Sequence, residues 1–272
     1  MGEVKLKVGV AQIEVGYYTK EHNVEKILRA VDNAIREGIN LILFPEGVNI
    51  GYFVMDRNRD VTDKRNLAYD LADTLNSEWI CKLREKAFER IAVGCGLFLK
   101  TQSGQMYNTL VLILPTGRIH TYCKTHLFHT KEIEEKDFVR KGRKLSVVHW
   151  KNVFVGLSIC YDLNFPEVFR TLALDGAQIV LLSAAWPKVG GRVWDILLPA
   201  RALENQVFVL ASNQTGGEYW GHSKIVDYTG TVIAESAEEE GIITAEINLE
   251  RENKWRSVVP YFSDRRPKIY RL

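Results

Sequence analysis

Residues 156–167 read GLSICYDLNFPE. Small and apolar residues run unbroken into Cys160, polar turn residues follow at once, and Pro166 stands where the first turn of a helix belongs. A continuous apolar run bounded in this way reads as a strand covered on both faces. The stretch therefore predicts a buried strand, a turn and a helix, with a thiol at the strand's carboxyl end. The alternation continues outward: strand 153–160, helix 165–175, strand 178–185, helix 193–206 bent or divided at Pro199, and strand 207–212.

The first half repeats the theme. Residues 4–13 read as a strand. Val24, Ile27, Leu28, Val31, Ala34 and Ile35 recur at helical spacing, and Gly38 sits at the helix stop. The run NLILFP (40–45) is another short buried strand. After a polar loop near 56–65, Leu67, Leu71, Leu75, Trp79, Leu83 and Phe88 predict one second long helix. Hairpins are expected through Ser103-Gly104, through Thr116-Gly117 and around Tyr228-Thr229-Gly230, and a last strand at 241–248. Parallel units mixed with hairpins predict two mixed β-sheets with helices outside, a four-layer α-β-β-α sandwich. No Pro-, Gly- or Ser-rich linker divides the chain, so residues 1–272 are read as a single domain. Residues 250–272 form an irregular basic and aromatic arm, expected to pack on a partner subunit.

The 36 basic and 34 acidic residues leave a formal net charge of +2, which makes no electrostatic case for nucleic acid or an anionic membrane. No apolar run approaches the roughly 20 residues that span a bilayer. The opening MGEVKLKVGVAQIE lacks the long apolar core of a signal peptide, so a cytoplasmic protein is expected. Cys81, Cys95, Cys123 and Cys160 are widely spaced without a C-x-x-C pair, which argues against a disulfide framework or a cysteine-rich zinc site. No metal or cofactor is expected.

Three polar residues stand where predicted strands end: Glu46 after LILFP, Lys124 after RIHTYC and Cys160 after FVGLSI. In open α/β sheets, ligands gather outside the carboxyl ends of strands, so the three could share a crevice. Each alone is ordinary, but together they fit one chemistry. A buried thiol is inert unless a base takes its proton or a cation holds the thiolate. Ordinary pKa values put Cys about 4 units above Glu, so unassisted transfer costs about 5–6 kcal/mol. Burial of the Glu and an adjacent ammonium both shrink that gap. The ammonium can also hold the oxyanion formed when sulfur attacks an sp² or sp carbon. Base, electrophilic stabiliser and nucleophile are then all present. His126, two residues after Lys124, competes as the partner of a Cys–His dyad, or orients groups beside the site.

LILFPEG around Glu46, YCKTHLF around Lys124 and GLSICYDLNFPE around Cys160 resemble the three signature blocks of the nitrilase superfamily of carbon–nitrogen hydrolases, in order and in spacing. The resemblance implies the α-β-β-α sandwich, a Glu-Lys-Cys site and a homodimer or larger assembly. It implies Cys160 as nucleophile, Glu46 as general base, and Lys124 with the Tyr161 N–H as oxyanion donors. It also implies a second glutamate, for which KEIEEKDFVRKG offers Glu132, Glu134 and Glu135; counting back from Gly142 favours Glu135. CYD after the strand, GYF (51–53) and DRRPKIY (264–270) look like the amidase and omega-amidase branches. The implied reaction is hydrolysis of a small aliphatic amide or ω-amide of a carboxylic acid through a cysteine thioester, releasing ammonia. Tyr52 and Trp186 are candidate pocket walls, and Arg192 a candidate partner for a substrate carboxylate. Nitrile hydrolysis, N-carbamoyl hydrolysis and acyl transfer at the same site remain alternatives, as does a non-catalytic binding scaffold.

Overall fold

A computed structural model describes residues 5–270. The strands are β1 (Lys5–Glu14), β2 (Leu41–Leu43), β3 (Ala92–Lys100), β4 (Met106–Ile113), β5 (Ile119–Cys123), β6 (Ser146–Trp150), β7 (Val153–Ile159), β8 (Ile179–Ala184), β9 (Phe208–Thr215), β10 (Lys224–Val226), β11 (Val232–Glu235) and β12 (Gly241–Asn248). The helices are α1 (Lys20–Arg36), α2 (Val61–Leu71), α3 (Glu78–Ala87), α4 (Pro166–Leu174), α5 (Gly191–Asn205), α6 (Leu249–Val258) and the short α7 (Tyr261–Asp264). One mixed sheet runs β12-β1-β2-β3-β4-β5 and the other β6-β7-β8-β9-β10-β11. They join at one corner, where Ile13 and Glu14 pair with Gln214 and Thr215. This is the expected two-sheet sandwich.

Burial follows the sequence pattern. Leu41–Leu43, Ile179–Ala184 and Phe208–Thr215 are buried on both faces; the first two are apolar almost throughout, whereas the last ends in the buried polar residues Ser212, Asn213, Gln214 and Thr215. One core lies between the sheets and beneath α4 and α5, with Val8, Leu43 and Leu110 meeting Leu157, Leu181 and Phe169. A second lies between the first sheet and its helices, with Ile27 and Val31 of α1 and Ile80 and Leu83 of α3. Gly38, at φ +70°, ends α1 by letting its own N–H and that of Ile39 bond back to Ile35 and Ala34.

Several local expectations needed correction. The long second helix is two helices: Asp60 caps α2 within the supposed loop, accepting from the Asp63 N–H at 2.8 Å. The chain then breaks at Asp73, which bridges Leu99. Strand β6 was missed, because its hairpin with β7 turns through Lys151 and Asn152, both left-handed, rather than through a glycine. Helix α5 runs continuously through Pro199. The arm is largely helical: the Asn248 side chain caps α6, and Gln178 donates to Glu252 at 3.0 Å while Arg256 donates to the Ala177 carbonyl at 3.0 Å, docking α6 on its own chain. Val4 of the expected first strand and residues 271–272 of the arm lie outside the described residues.

Gly96 shows how closely the sheet is fitted to Glu46. A Cβ at this position would stand 2.6 Å from the Glu46 Cα and 2.8 Å from the Pro45 carbonyl oxygen, both backbone atoms. Gly96→Ala is expected to cost about 1–3 kcal/mol of stability by overpacking and to displace Glu46. Urea denaturation measures this; a change within 0.5 kcal/mol () would show that the segment yields freely.

Candidate active site

The residues singled out at strand ends converge on one buried cluster. Glu46 follows β2 of the first sheet, and its backbone is held by β8 and β9 of the second. Its N–H donates to the Ala184 carbonyl at 3.2 Å, and its carbonyl accepts from Gln214 Nε2 at 2.7 Å. Lys124 follows β5; its N–H donates to the Asn108 carbonyl at 2.9 Å and its carbonyl accepts from the Gly142 N–H at 2.8 Å. A side chain at Gly142 would strike the Cys123 carbonyl, so glycine is what allows the two segments to touch. Cys160 follows β7 and opens a 3-10 turn (Cys160–Asn164) at φ +44°, a left-handed conformation that costs a non-glycine residue on the order of 1–3 kcal/mol.

The Lys124 ammonium donates to Glu46 Oε1 at 2.8 Å and to Glu135 Oε2 at 2.9 Å, and all three side chains are wholly buried. The remaining acceptor positions are also engaged. Asn108 Nδ2 bridges Glu46 Oε1 at 2.6 Å and Glu135 Oε1 at 2.8 Å. The Ala185 N–H donates to Glu46 Oε2 at 3.0 Å and the Phe128 N–H to Glu135 Oε2 at 2.7 Å. Burial raises the Glu46 pKa above its ordinary range, and the Glu135 charge adds to this against the opposing pull of Lys124. Burial works against the Lys124 charge, but Glu135, Glu46 and Cys160 outweigh it and hold the ammonium firmly protonated. Burial, then the Glu46 charge, pushes the Cys160 thiol well up, opposed by Lys124 and the Ala185 N–H. Burial therefore disfavours the charged form of both the Cys160 thiol and the Glu46 carboxyl, while Lys124 favours both.

Cys160, with 6% of its surface exposed, opens into a cavity of ≈ 230 Å³ walled by Tyr52, Phe128, Tyr161, Asn164, Trp186 and Val193 among others. Trp186 is pinned by donating from Nε1 to the Gly190 carbonyl at 2.8 Å. The Tyr52 hydroxyl is buried and has no hydrogen-bond partner in the protein, so it is available to a ligand. The Tyr161 N–H belongs to the first turn after Cys160, whose leading N–H groups have no partner within the helix.

Of the three candidate second glutamates, Glu135 reaches Lys124; Glu134 instead pairs with Lys136 at 3.2 Å, and Glu132 is exposed at an outer cavity. His126 does not face Cys160 as a dyad partner: its Nδ1 lies 2.8 Å from Asp162 Oδ1 and its ring stacks on Phe165. Arg192 is exposed and does not line the cavity, although Gly190 and Val193 on either side of it in sequence do. Cys95, buried in β3, has its pKa raised by burial alone and stays an inert core thiol. Sequence reasoning missed Asn108. Its signal was an amide that, with Thr109, opens the otherwise apolar run NTLVLIL.

The carbon–nitrogen hydrolase family model matches residues 7–257. The chain is 34% identical to the 2-oxoglutaramate amidase of Paenarthrobacter nicotinovorans, over 97% of this chain and 91% of the relative. It is 33% identical to the deaminated glutathione amidase of a Synechocystis strain, over 89% of this chain and 92% of the relative. Its structure matches, with TM-score 0.78 and 26% identity, a mutant amidase from Nesterenkonia sp. that shows covalent addition of the acetamide moiety of fluoroacetamide at the active-site cysteine; the match covers 97% of this chain and 95% of that one.

Removing the shared cation would leave two carboxylates facing each other without water. Lys124→Met is expected to destabilise the protein by about 3–5 kcal/mol, the cost of an uncompensated buried charge. A shift of the urea midpoint worth less than about 1 kcal/mol () would mean that the carboxylates do not depend on the ammonium.

Proposed function

This chain belongs to the carbon–nitrogen hydrolase family, and from that premise we propose that it hydrolyses an ω-amide of a small aliphatic carboxylic acid through a thioester on Cys160. One observation carries the reading: the Glu46–Lys124–Glu135 cluster forms a buried, hydrogen-bonded floor beside the only thiol that opens into the aromatic cavity among the described residues.

In the proposed mechanism the Cys160 sulfur attacks the amide carbon as Glu46 takes its proton. Both pKa values are raised by the same burial, so the transfer stays within reach although each charged form is disfavoured. The substrate oxygen gathers negative charge and is met by the Lys124 ammonium and the Tyr161 N–H. Glu46 then gives the proton to the departing nitrogen, and ammonia leaves. Glu46 next deprotonates water, which attacks the thioester carbon; the acid departs and the thiol regains its proton. Glu135 holds Lys124 in place throughout and helps to keep the ammonium protonated.

The amidases to which the chain is similar support the substrate class, and the cysteine adduct of the Nesterenkonia amidase supports the covalent step. 2-Oxoglutaramate is an amide whose acyl chain ends in a carboxylate. Among the described residues, none of those lining the inner cavity is a cation that could meet such an end. An outer cavity of ≈ 610 Å³ shares Met55, Phe128, Pro187 and Val189 with it and carries Arg57, Lys131 and Lys188 beside Glu132 and Glu218. The reading places the acyl carboxylate toward that rim. It also takes the chain as a homodimer: α5 leaves Val193, Ile196 and Leu203 exposed, and Val258 and Ile269 are exposed beyond it, apolar area that a second copy would cover.

Cys160→Ala is expected to fold normally and to lose at least a thousandfold in turnover; activity within tenfold of the parent would remove Cys160 from the chemistry. Hydroxylamine added during turnover should yield the acyl hydroxamate, and its absence at full turnover would exclude a thioester. The pH profile is a third check. Glu46 works as a carboxylate, so activity is present above its folded pKa and lost as pH falls through it. Because burial raises that pKa, the acid limb of kcat/KM should lie above the ordinary glutamate value of about 4.3.

A further inference from the structure

The catalytic cluster does not use Asp162, yet this carboxylate is wholly buried and fully engaged. Its Oδ2 accepts from the Ile159 N–H at 2.9 Å and from the Tyr122 hydroxyl at 2.7 Å. Its Oδ1 accepts from the Thr125 hydroxyl at 3.3 Å and lies 2.8 Å from His126 Nδ1. Facing a carboxylate, Nδ1 carries the imidazole proton and donates. The partners fall into two groups. Ile159 immediately precedes Cys160, whereas Tyr122, Thr125 and His126 bracket Lys124. The first group ends β7 of one sheet and the second ends β5 of the other. A single carboxylate thus ties the segment carrying the sulfur to the segment carrying the ammonium, with contacts within two residues of each.

Two further contacts extend the bracket. The Thr125 N–H donates to the Tyr122 oxygen at 3.2 Å, closing a loop around Lys124. The His126 ring stacks on Phe165 with centroids 3.9 Å apart, and Phe165 meets the Tyr161 ring edge-on at 5.3 Å. The same unit therefore supports the residue whose N–H begins the turn after the sulfur. The left-handed backbone at Cys160 supplies the need, since a strained nucleophile turn persists only where its surroundings over-determine it.

Resting on the reading of Cys160 as nucleophile and Lys124 as oxyanion donor, we propose that Asp162, with Tyr122 and His126, is a positioning unit that fixes the separation of the Cys160 sulfur from the Lys124 ammonium. None of the three touches the reacting atoms; they act by holding the groups that do. Loosening the bracket lets sulfur and ammonium drift, and misplacement of reacting groups by an ångström lowers turnover by about a hundredfold. Substrate binding in the aromatic cavity is largely untouched.

The test is a set of variants assayed on the amide that the parent turns over. Tyr122→Phe and Asp162→Asn should each lower kcat ten- to a hundredfold with KM within threefold. Their double variant should fall no further than the worse single one, because both act through one carboxylate. His126→Asn, whose amide N–H can stand where Nδ1–H stood, should keep kcat within threefold, whereas His126→Leu should lose tenfold or more. Should Asp162→Asn fail to fold, the Tyr122 and His126 variants decide alone. Near-parental kcat in Tyr122→Phe and His126→Leu, equal losses in His126→Asn and His126→Leu, or a rise in KM at unchanged kcat would each overturn the proposal. Cys160→Ala is run alongside. If it stays active, the nucleophile reading itself falls; if it is inactive while the bracket variants behave like the parent, only the positioning role falls.

Discussion

The structure depends on one ammonium held between two carboxylates where no water reaches. Lys124 is committed to Glu46 and Glu135, and those carboxylates are committed in turn to Asn108 and to backbone N–H groups of the two sheets. Buried ions are costly unless every lone pair and proton is answered. Here each answer comes from a different strand end or the loop after it, so the cluster exists only when both sheets are in place. Two carboxylates against one ammonium leave a surplus of negative charge. Burial is the main reason that the Glu46 and Cys160 pKa values are raised, and the neighbouring carboxylate charge adds to it in each case.

Rigid supports and adaptable walls are divided cleanly between elements. The charged groups and the sulfur sit at the ends of β2, β5 and β7, where the backbone is fixed by ladders and by contacts such as Gly96 against Glu46 and Gly142 against Cys123. The cavity walls come mostly from connecting segments: Tyr52 and Met55 before α2, Phe128 before the Glu135 turn, and Trp186 to Gly190 before α5. Fixed strand ends suit a reaction that tolerates little displacement. Loops can change the shape of the acyl pocket without disturbing it.

Much of this was legible beforehand. Buried strands announced themselves as apolar runs whose carboxyl ends carried Glu46 and Cys160, and Lys124 stood at the end of the more polar hairpin strand β5. What escaped had physical reasons. Strand β6 turns into β7 through Lys151 and Asn152, residues without the usual turn signature. The break between α2 and α3 is made by a tertiary bridge from Asp73 to Leu99. The arm's helix α6 is strongly charged and gains its place from Gln178 and from the carbonyl of Ala177, contacts with residues far away in the chain. Asn108 looked like one polar residue at the start of a strand, and nothing nearby in sequence marks it as the bridge between two glutamates.

The sequence by itself determined the layers, the strand ends and the kinds of group they carry, because hydrophobic period and turn chemistry are local. Only the tertiary structure decided which glutamate of Glu132, Glu134 and Glu135 meets Lys124, and that His126 pairs with Asp162. Those outcomes turn on distances of a few ångströms between residues 11 and 36 positions apart, and on the loss of water that follows when two sheets close over them.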